Sequence, residues 1–466
     1  MKTGSRNLLA VLLFSTAFFL VGGMRGQSSE TPRPVSPSGF NCSPAPCVLP
    51  PTQASEGGNP VTDTPIVSNP LNGRDLLLGS VDYNCPEPSA VGFHLSSDGG
   101  SAWNRVDCMP VIYTGVYWPL DEPSVGYDRD GNAYVAGVYV KSEGSNGFLA
   151  VQKSTDGIHW SKPVVALRQS GPSFPIETSM AVDTSPDSLY VSGVMVLGPG
   201  QGKNQVVVSH STDAGVTWTQ AAVDSVQKYP EEDRFTRMAV GKDGTVYVTW
   251  MHCRGKSGSG GDCPTVHFML SKSVDGGNTW SAAQRIATVK MHDWQLPITK
   301  ERVYNYPAIV TDNSGGPYSG DLYVAMYTWT GAYLRVQVIR STDGGTTWSQ
   351  PVPLAPKSDT HDQFFPSISV SSTGKVGVSW LDRRNDPNDI DYQAYAAISE
   401  DGGQSFGTNW QLTTAFSNPD NNGTGNNWMG DYTGNTWKGD NVFVAAWMDS
   451  SNGVDMQEEV GGVRLK

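Results

Sequence analysis

Basic charge is scarce in this chain. Of 466 residues, 32 are Lys or Arg and 45 are Asp or Glu, a formal net charge of −13, and a surface that neutralises a phosphate backbone needs the opposite sign, which argues against a nucleic-acid partner. A bilayer-length apolar run is missing as well. The one long stretch, Leu8 to Val21, is about 14 residues, short of the roughly 20 that a spanning helix needs. Lys2 and Arg6 precede it and Gly22 and Gly23 follow it, the layout of a secretory signal peptide, with a retained N-terminal anchor as the alternative. Residues 1–23 are therefore expected to be a signal peptide, and the mature chain to be secreted or periplasmic with no transmembrane segment. Paired C-x-x-C motifs are absent, which argues against zinc. The six cysteines, Cys42, Cys47, Cys85, Cys108, Cys253 and Cys263, all follow the expected cleavage point, and an even number in an exported chain points to disulfides. Pairing between sequence neighbours is expected, with Cys85 and Cys108 around the first hairpin and Cys253 and Cys263 around the Gly-rich loop Arg254 to Asp262.

Charged residues of both signs amount to only 17%, against 52 Gly, 31 Pro and 14 Trp. That composition belongs to a turn-rich all-β protein, long enough for one large domain. A Ser/Thr/Pro/Gly-rich linker is expected over 24–60 and the β domain over 61–466.

What is abundant is a repeat. The pattern S-x-D-x-G-x-x-W recurs in six copies, the second one residue short and the last ending in Phe406, with aspartates Asp98, Asp156, Asp213, Asp275, Asp343 and Asp401 spaced 58, 57, 62, 68 and 58 residues apart; a period of that size indicates stacked supersecondary units. An aspartate heading a tight turn accepts backbone N–H groups ahead of it, glycine supplies the positive φ, and the tryptophan buries apolar surface. Each copy lies between two apolar runs, so it reads as the turn of a hairpin and its aspartate as structural. Between these turns a second signature recurs seven times, a short strand and then a very apolar one, such as Glu122–Val125 with Ala133–Ala136 and Pro366–Val370 with Val376–Trp380. Together they make four-stranded units, the blades of a β-propeller; seven blades are expected, with six as the alternative. The last unit is short of a strand, and a segment near Phe40–Val48 is expected to clasp the ring shut.

The clearest copy, Ser341-Thr342-Asp343-Gly344-Gly345-Thr346-Thr347-Trp348, resembles the Asp-box, or bacterial neuraminidase repeat, and the chain from about residue 60 onward resembles the sialidase-like superfamily of β-propellers. Gln363–Ile368, Trp380–Asp386 and Gly430–Gly434 are similar to stretches in exported bacterial proteins of that group. The resemblance speaks for fold more than activity, since Asp-boxes occur in hydrolases, sorting receptors and assembly factors alike. A sialidase, as the resemblance implies, clamps the substrate carboxylate with three arginines and uses a Tyr nucleophile, a Glu base and an Asp acid/base. The F/Y-R-I-P motif of the first arginine is absent; the nearest first-blade arginine, Arg74, lies in the turn Asn72–Asp75.

Ligand-facing groups of a propeller come from the starts of the innermost strands and the loops leading into them. Here that ring is mainly acidic and aromatic. One arrangement gathers Arg234, Arg237 and Arg302 with Tyr304 or Tyr306 as nucleophile and Glu231 or Glu232 as base. The other uses a carboxylate pair to cleave a neutral or basic sugar polymer stacked on aromatic rings such as Tyr117, Trp118, Trp294 and Trp428. The catalytic candidates are Glu177, Asp233, Glu122, Tyr304 and Tyr306, and the substrate-contact candidates are Arg234, Arg302, His361, Asp362, Trp294 and Asp431. No cofactor is required. Asp386, Asn388, Asp389 and Asp391 offer hard oxygen ligands for Ca²⁺, but their loop lacks the full calcium-loop pattern, so a solvated Asx turn is the alternative. The expected partner of a monomeric chain is an extracellular glycan or protein, bound by a glycoside hydrolase or by a non-catalytic scaffold. Carboxylates facing across an open pocket favour the first; carboxylates held by backbone donors favour the second.

Overall fold

A computed structural model describes residues 40–112, 117–141, 146–183, 187–255 and 263–466. The expected signal peptide, the linker as far as residue 39 and most of the Gly-rich loop after Cys253 lie outside the described residues. The secondary structure is all β: seven antiparallel blades follow one another along the chain. Their innermost strands are Ile66–Ser68 with Val61–Thr62 ahead of it, then Tyr117–Tyr127, Ser173–Val182, Glu231–Val240, Ala308–Thr311, Gln363–Val370 and Gly434–Lys438. The second strands are apolar because the blades pack face to face, and Leu76–Asp82 and Val376–Asp382 are buried at every position. In the fifth and sixth blades the outermost strands are short, two residues at Val352–Pro353 and three at Asn409–Gln411, which blunts those exposed edges.

The seventh blade takes its fourth strand from the other end of the chain. Cys47–Gln53 pairs antiparallel with the strand Gln457–Arg464, from Cys47 opposite Arg464 to Gln53 opposite Glu459. This closing strand overlaps only the end of Phe40–Val48, where it was expected; Phe40 itself is buried against Gly100 of the first aspartate turn. The cysteines pair as Cys42–Cys47, Cys85–Cys108 and Cys253–Cys263.

Each aspartate turn is a closed hydrogen-bond unit. At the fifth copy the Ser341 hydroxyl donates to Asp343 Oδ1 (2.8 Å) and accepts the Gly345 N–H (2.9 Å), while Thr347 donates its N–H (2.8 Å) and its hydroxyl (2.5 Å) to the same carboxylate. The serine–aspartate bond recurs at Asp98, Asp156, Asp213, Asp275 and Asp401. Asp213, Asp275 and Asp343 are held down at about 2, chiefly by the hydroxyls of Thr217, Thr279 and Thr347. These turns join the third and fourth strands, so antiparallel order places them at the end of the blade opposite the start of the innermost strand. Their glycines rest on the preceding blade: Gly157 meets Leu95, Gly345 meets Leu270 and Gly403 meets Tyr323. The motif aromatics are half-buried and pack against the inter-blade cores, with the Trp160 ring 4.7 Å from Phe93 of the first blade.

Gly403 combines φ of +74° with a Cβ position 2.8 Å from the Tyr323 ring. Gly403→Ala is expected to destabilise the protein by about 2 kcal/mol, read as a lower urea midpoint. Gly407→Ala, where a Cβ meets nothing within 4 Å, leaves the midpoint within experimental error.

Candidate ligand site at the propeller mouth

The mouth is shaped by a repeated backbone irregularity. Glu122, Glu177, Phe235 and Phe365 take φ of 60°, 54°, 59° and 50°, each where its innermost strand slips register against the second strand. Asp63, at 58°, fills the equivalent place between the two short pieces of the first blade's inner strand. The residue after each is Thr or Pro: Thr64, Pro123, Thr178, Thr236 and Pro366. Proline has no ladder N–H to give, and two of the threonines bond the preceding blade of the ring, Thr236 to the Glu177 carbonyl (2.7 Å) and Thr64 to the Ala446 carbonyl (3.1 Å). A non-glycine residue at such φ costs on the order of 1–3 kcal/mol; the bonds that the bulges make to neighbouring blades offset it.

Those bonds form a collar. Asp63 Oδ1 accepts the N–H groups of Asp431 (2.6 Å) and Tyr432 (3.3 Å), and so joins the first blade to the seventh. Glu122 Oε1 accepts the Glu177 N–H (2.8 Å), and Glu177 Oε2 accepts the Phe235 N–H (2.7 Å). Glu177 Oε1 also holds the Arg234 guanidinium, at 2.6 Å from Nε and 2.5 Å from Nη2. Asp431 and Tyr432 give their N–H groups to Asp63, and the seventh inner strand begins after them, at Gly434.

Above the collar, Arg302 Nη2 donates to both oxygens of Asp431 (2.7 and 3.0 Å), and the Trp428 indole N–H donates to Oδ1 (3.0 Å). The Arg302 guanidinium lies 4.5 Å over the Tyr304 ring, and Tyr83 meets Trp428 edge-on at 6.4 Å. Arg234 covers Trp294 at 5.1 Å, and Arg237 lies between Tyr306 (3.8 Å) and Tyr432 (4.5 Å). Asp121 is half-buried, and its Oδ1 accepts the Glu122 N–H (2.8 Å). Burial, and then the charge of Asp431, push its carboxyl up to about 6. Burial first and neighbouring carboxylates second hold Asp63 and Glu122 well above the usual carboxylate range. Burial also raises the phenols of Tyr304 and Tyr306, which makes either a poor nucleophile near neutral pH.

The structure thus brings together Glu122, Glu177, Arg234, Trp294, Arg302, Tyr304, Tyr306 and Asp431. Three expected residues keep other company. Asp233 is fully buried against the Trp250 indole (3.1 Å) and His252 Nδ1 (2.8 Å). Asp362 accepts the Leu334 N–H (2.8 Å) beside Arg383 (3.4 Å), and His361 pairs with Asp359 (3.1 Å). Of the two proposed bases, Glu231 pairs with Arg254 (3.2 Å), while Glu232 lies 3.9 Å from Arg234 and 3.7 Å from both sulfurs of the Cys253–Cys263 disulfide. Tyr117 lines a separate cavity of about 550 Å³ with Asn146, Arg168 and Gln169. Asp63, Tyr83 and Tyr432 belong to the mouth and were not expected there; for Asp63 and Tyr432 the signal was the Thr that follows, as in Asp63-Thr64 and Tyr432-Thr433, whereas Tyr83, just after the second strand of the first blade, carries no such signal.

The loop weighed for Ca²⁺ folds around Asp386. Asp386 Oδ1 accepts the Asn388 N–H (3.0 Å), and Oδ2 accepts those of Ile390 and Asp391 (both 2.8 Å), an Asx turn closed on itself. Among the described residues the one cluster with ligand atoms within 4.8 Å of one another is Glu232, Cys253 and Cys263, and its sulfurs are bonded to each other.

No protein-family model and no curated protein matches the chain. Similar solved structures include the Hadza microbial sialidase Hz136, with 14% identity and a TM-score of 0.46 over 83% of this chain and 73% of that one. An α-L-arabinofuranosidase of Fusarium graminearum has 13% identity and a TM-score of 0.49 over 76% and 98%, and an ulvan lyase of polysaccharide lyase family PL25 has 11% and 0.50 over 87% and 95%. At such identity the likeness is one of fold.

Removing the Glu177 carboxylate leaves the Arg234 guanidinium and the Phe235 N–H without their acceptor. Glu177→Ala is expected to cost about 3–5 kcal/mol in chemical denaturation, and Glu177→Gln, which keeps an acceptor oxygen, clearly less. Equal stability of both variants with the parent would refute the collar.

Proposed function

We propose that the chain is an exported, monomeric glycan-binding propeller of the sialidase-like superfamily, with its six aspartate turns as Asp-boxes and its ligand surface made by Tyr83, Asp121, Arg302, Tyr304 and Trp428. One observation carries this reading: Asp63, Asp121, Glu122, Glu177 and Asp431 are each engaged by a donor of the chain itself, so the carboxylates serve the scaffold while aromatic faces line the entrance. Sugar rings present apolar faces that stack on such aromatics. Two further features support it. Arg234 and Arg302 are already neutralised by Glu177 and Asp431, and Arg237 is held between the Tyr306 and Tyr432 rings, which speaks against a three-arginine clamp for a sialic-acid carboxylate. The three disulfides suit an oxidising compartment, and no helix among the described residues is long and apolar enough to cross a membrane. The glycan class also agrees with the ulvan lyase that shares the fold.

A second reading, hydrolysis, is favoured by Asp121. A carboxyl raised to about 6 beside the Asp431 carboxylate has the makings of a general acid with a second carboxylate opposite it.

Affinity electrophoresis against a polysaccharide panel, run beside an assay for released reducing ends, separates the two. Retardation without new reducing ends, lost about tenfold or more in Trp428→Ala and Tyr304→Ala, supports binding. Turnover that falls roughly 100-fold or more in Asp121→Asn, and that declines in the parent above about pH 6 as Asp121 loses its proton, assigns hydrolysis instead. A panel neither bound nor cleaved overturns both.

A further inference from the structure

We infer that the ligand carries a cationic amino group, and that the mouth takes an oligosaccharide of sugars with a free amine rather than a neutral, acetylated or acidic one; the inference rests on the glycan reading above. Charge is the first argument. Five carboxylates, Asp63, Asp121, Glu122, Glu177 and Asp431, act on one another around the mouth, and the cations among them have fixed occupations. Arg234 is bound to Glu177 and Arg302 to Asp431. Arg237 lies between two tyrosine rings and donates to the carbonyls of Thr178 (3.3 Å) and Thr236 (2.9 Å). Asp121, half-buried at the entrance, is held by one backbone N–H and pairs with no cation among the described residues.

Two buried polar atoms point the same way. Glu122 Oε2 and the Tyr306 hydroxyl have no hydrogen-bond partner among the described residues, and their residues are only 8% and 4% exposed. They lie near each other, since Glu122 exerts the strongest charge effect on the Tyr306 phenol. A carboxylate oxygen and a phenol oxygen are both acceptors for an ammonium group, which has three N–H donors and accepts nothing. The walls suit a cation as well. Tyr304 and Trp428 already stack on the Arg302 guanidinium, and Tyr83 stands against Trp428; electron-rich ring faces attract an ammonium bound beside them. A uronate or sialate would instead set a further carboxylate beside Asp121 and Asp431.

The test is calorimetric titration of the full chain with glucosamine oligosaccharides and with their fully N-acetylated counterparts, repeated from pH 5 to pH 9. The free-amine oligomer is expected to bind at least tenfold more tightly near neutral pH. Its affinity should fall on both sides of the optimum: below about pH 6 as Asp121 takes up a proton, and above about pH 8 as the ligand amine loses its own. Asp121→Asn keeps the shape of the half-buried side chain, removes its charge, and should lower the affinity for the free-amine form about tenfold, a larger loss than for the acetylated form, so that the preference between the two narrows. Raising the salt should weaken the first interaction and spare the second. Equal affinity for the two forms, or binding confined to neutral polysaccharides, overturns the inference and leaves the glycan reading intact. Failure to bind any glycan overturns both.

Discussion

The carboxylate-to-amide bonds between neighbouring blades at the mouth are the constraint on which the rest of this structure depends. A propeller blade has no covalent tie to its neighbour except one loop, and apolar packing between twisted sheets is tolerant of rotation. A carboxyl oxygen reaching a single N–H on the next blade is not tolerant. Glu122 to Glu177 and Glu177 to Phe235 set the relative height and rotation of the second, third and fourth blades, and Asp63 does the same where the first meets the seventh. The positive-φ bulges follow from that requirement, because an inner strand in regular extension would direct those N–H groups into its own ladder.

The same constraint determines the chemistry left for a ligand. Burying carboxylates at the narrow end of seven converging sheets is costly unless each finds donors, and the chain meets the cost with backbone N–H groups and with Arg234 and Arg302. Once those arginines are paired inward they are lost to an incoming anion. A surface that in a carboxylate-binding propeller would be cationic becomes a set of rings around a half-buried aspartate. Fold and ligand chemistry are therefore separable here: the aspartate turns at the opposite end hold the wheel together in the same way whatever the mouth is built to receive.

The wheel was legible in the sequence because its determinants are local. A serine, an aspartate, two glycines and a tryptophan within eight residues specify a turn by themselves, and six repetitions at a regular spacing leave few architectures open. The site was legible only in part. Glu122, Glu177, Arg302 and Asp431 stood out as polar residues at the heads of apolar strands, but alternation cannot show which way they face, since one inserted residue moves every later side chain to the other side. Asp233 and Glu232 flank the mouth in sequence yet lie against Trp250 and a disulfide. Asp63 was hidden by the opposite fault: its strand is split into pieces of two and three residues, too short for any period to register.

The blade assembled from both ends of the chain sets the order in which the molecule can be finished. Ser55 donates a hydrogen bond to Gln457 across 402 residues of sequence, and Cys47–Gln53 has no sheet to join until the strand ending at Arg464 exists. Contacts of such separation form last and slowly. During synthesis the chain is consequently an unlocked series of blades, and the step that turns the series into a wheel waits until the strand Gln457–Arg464 is available to Cys47–Gln53.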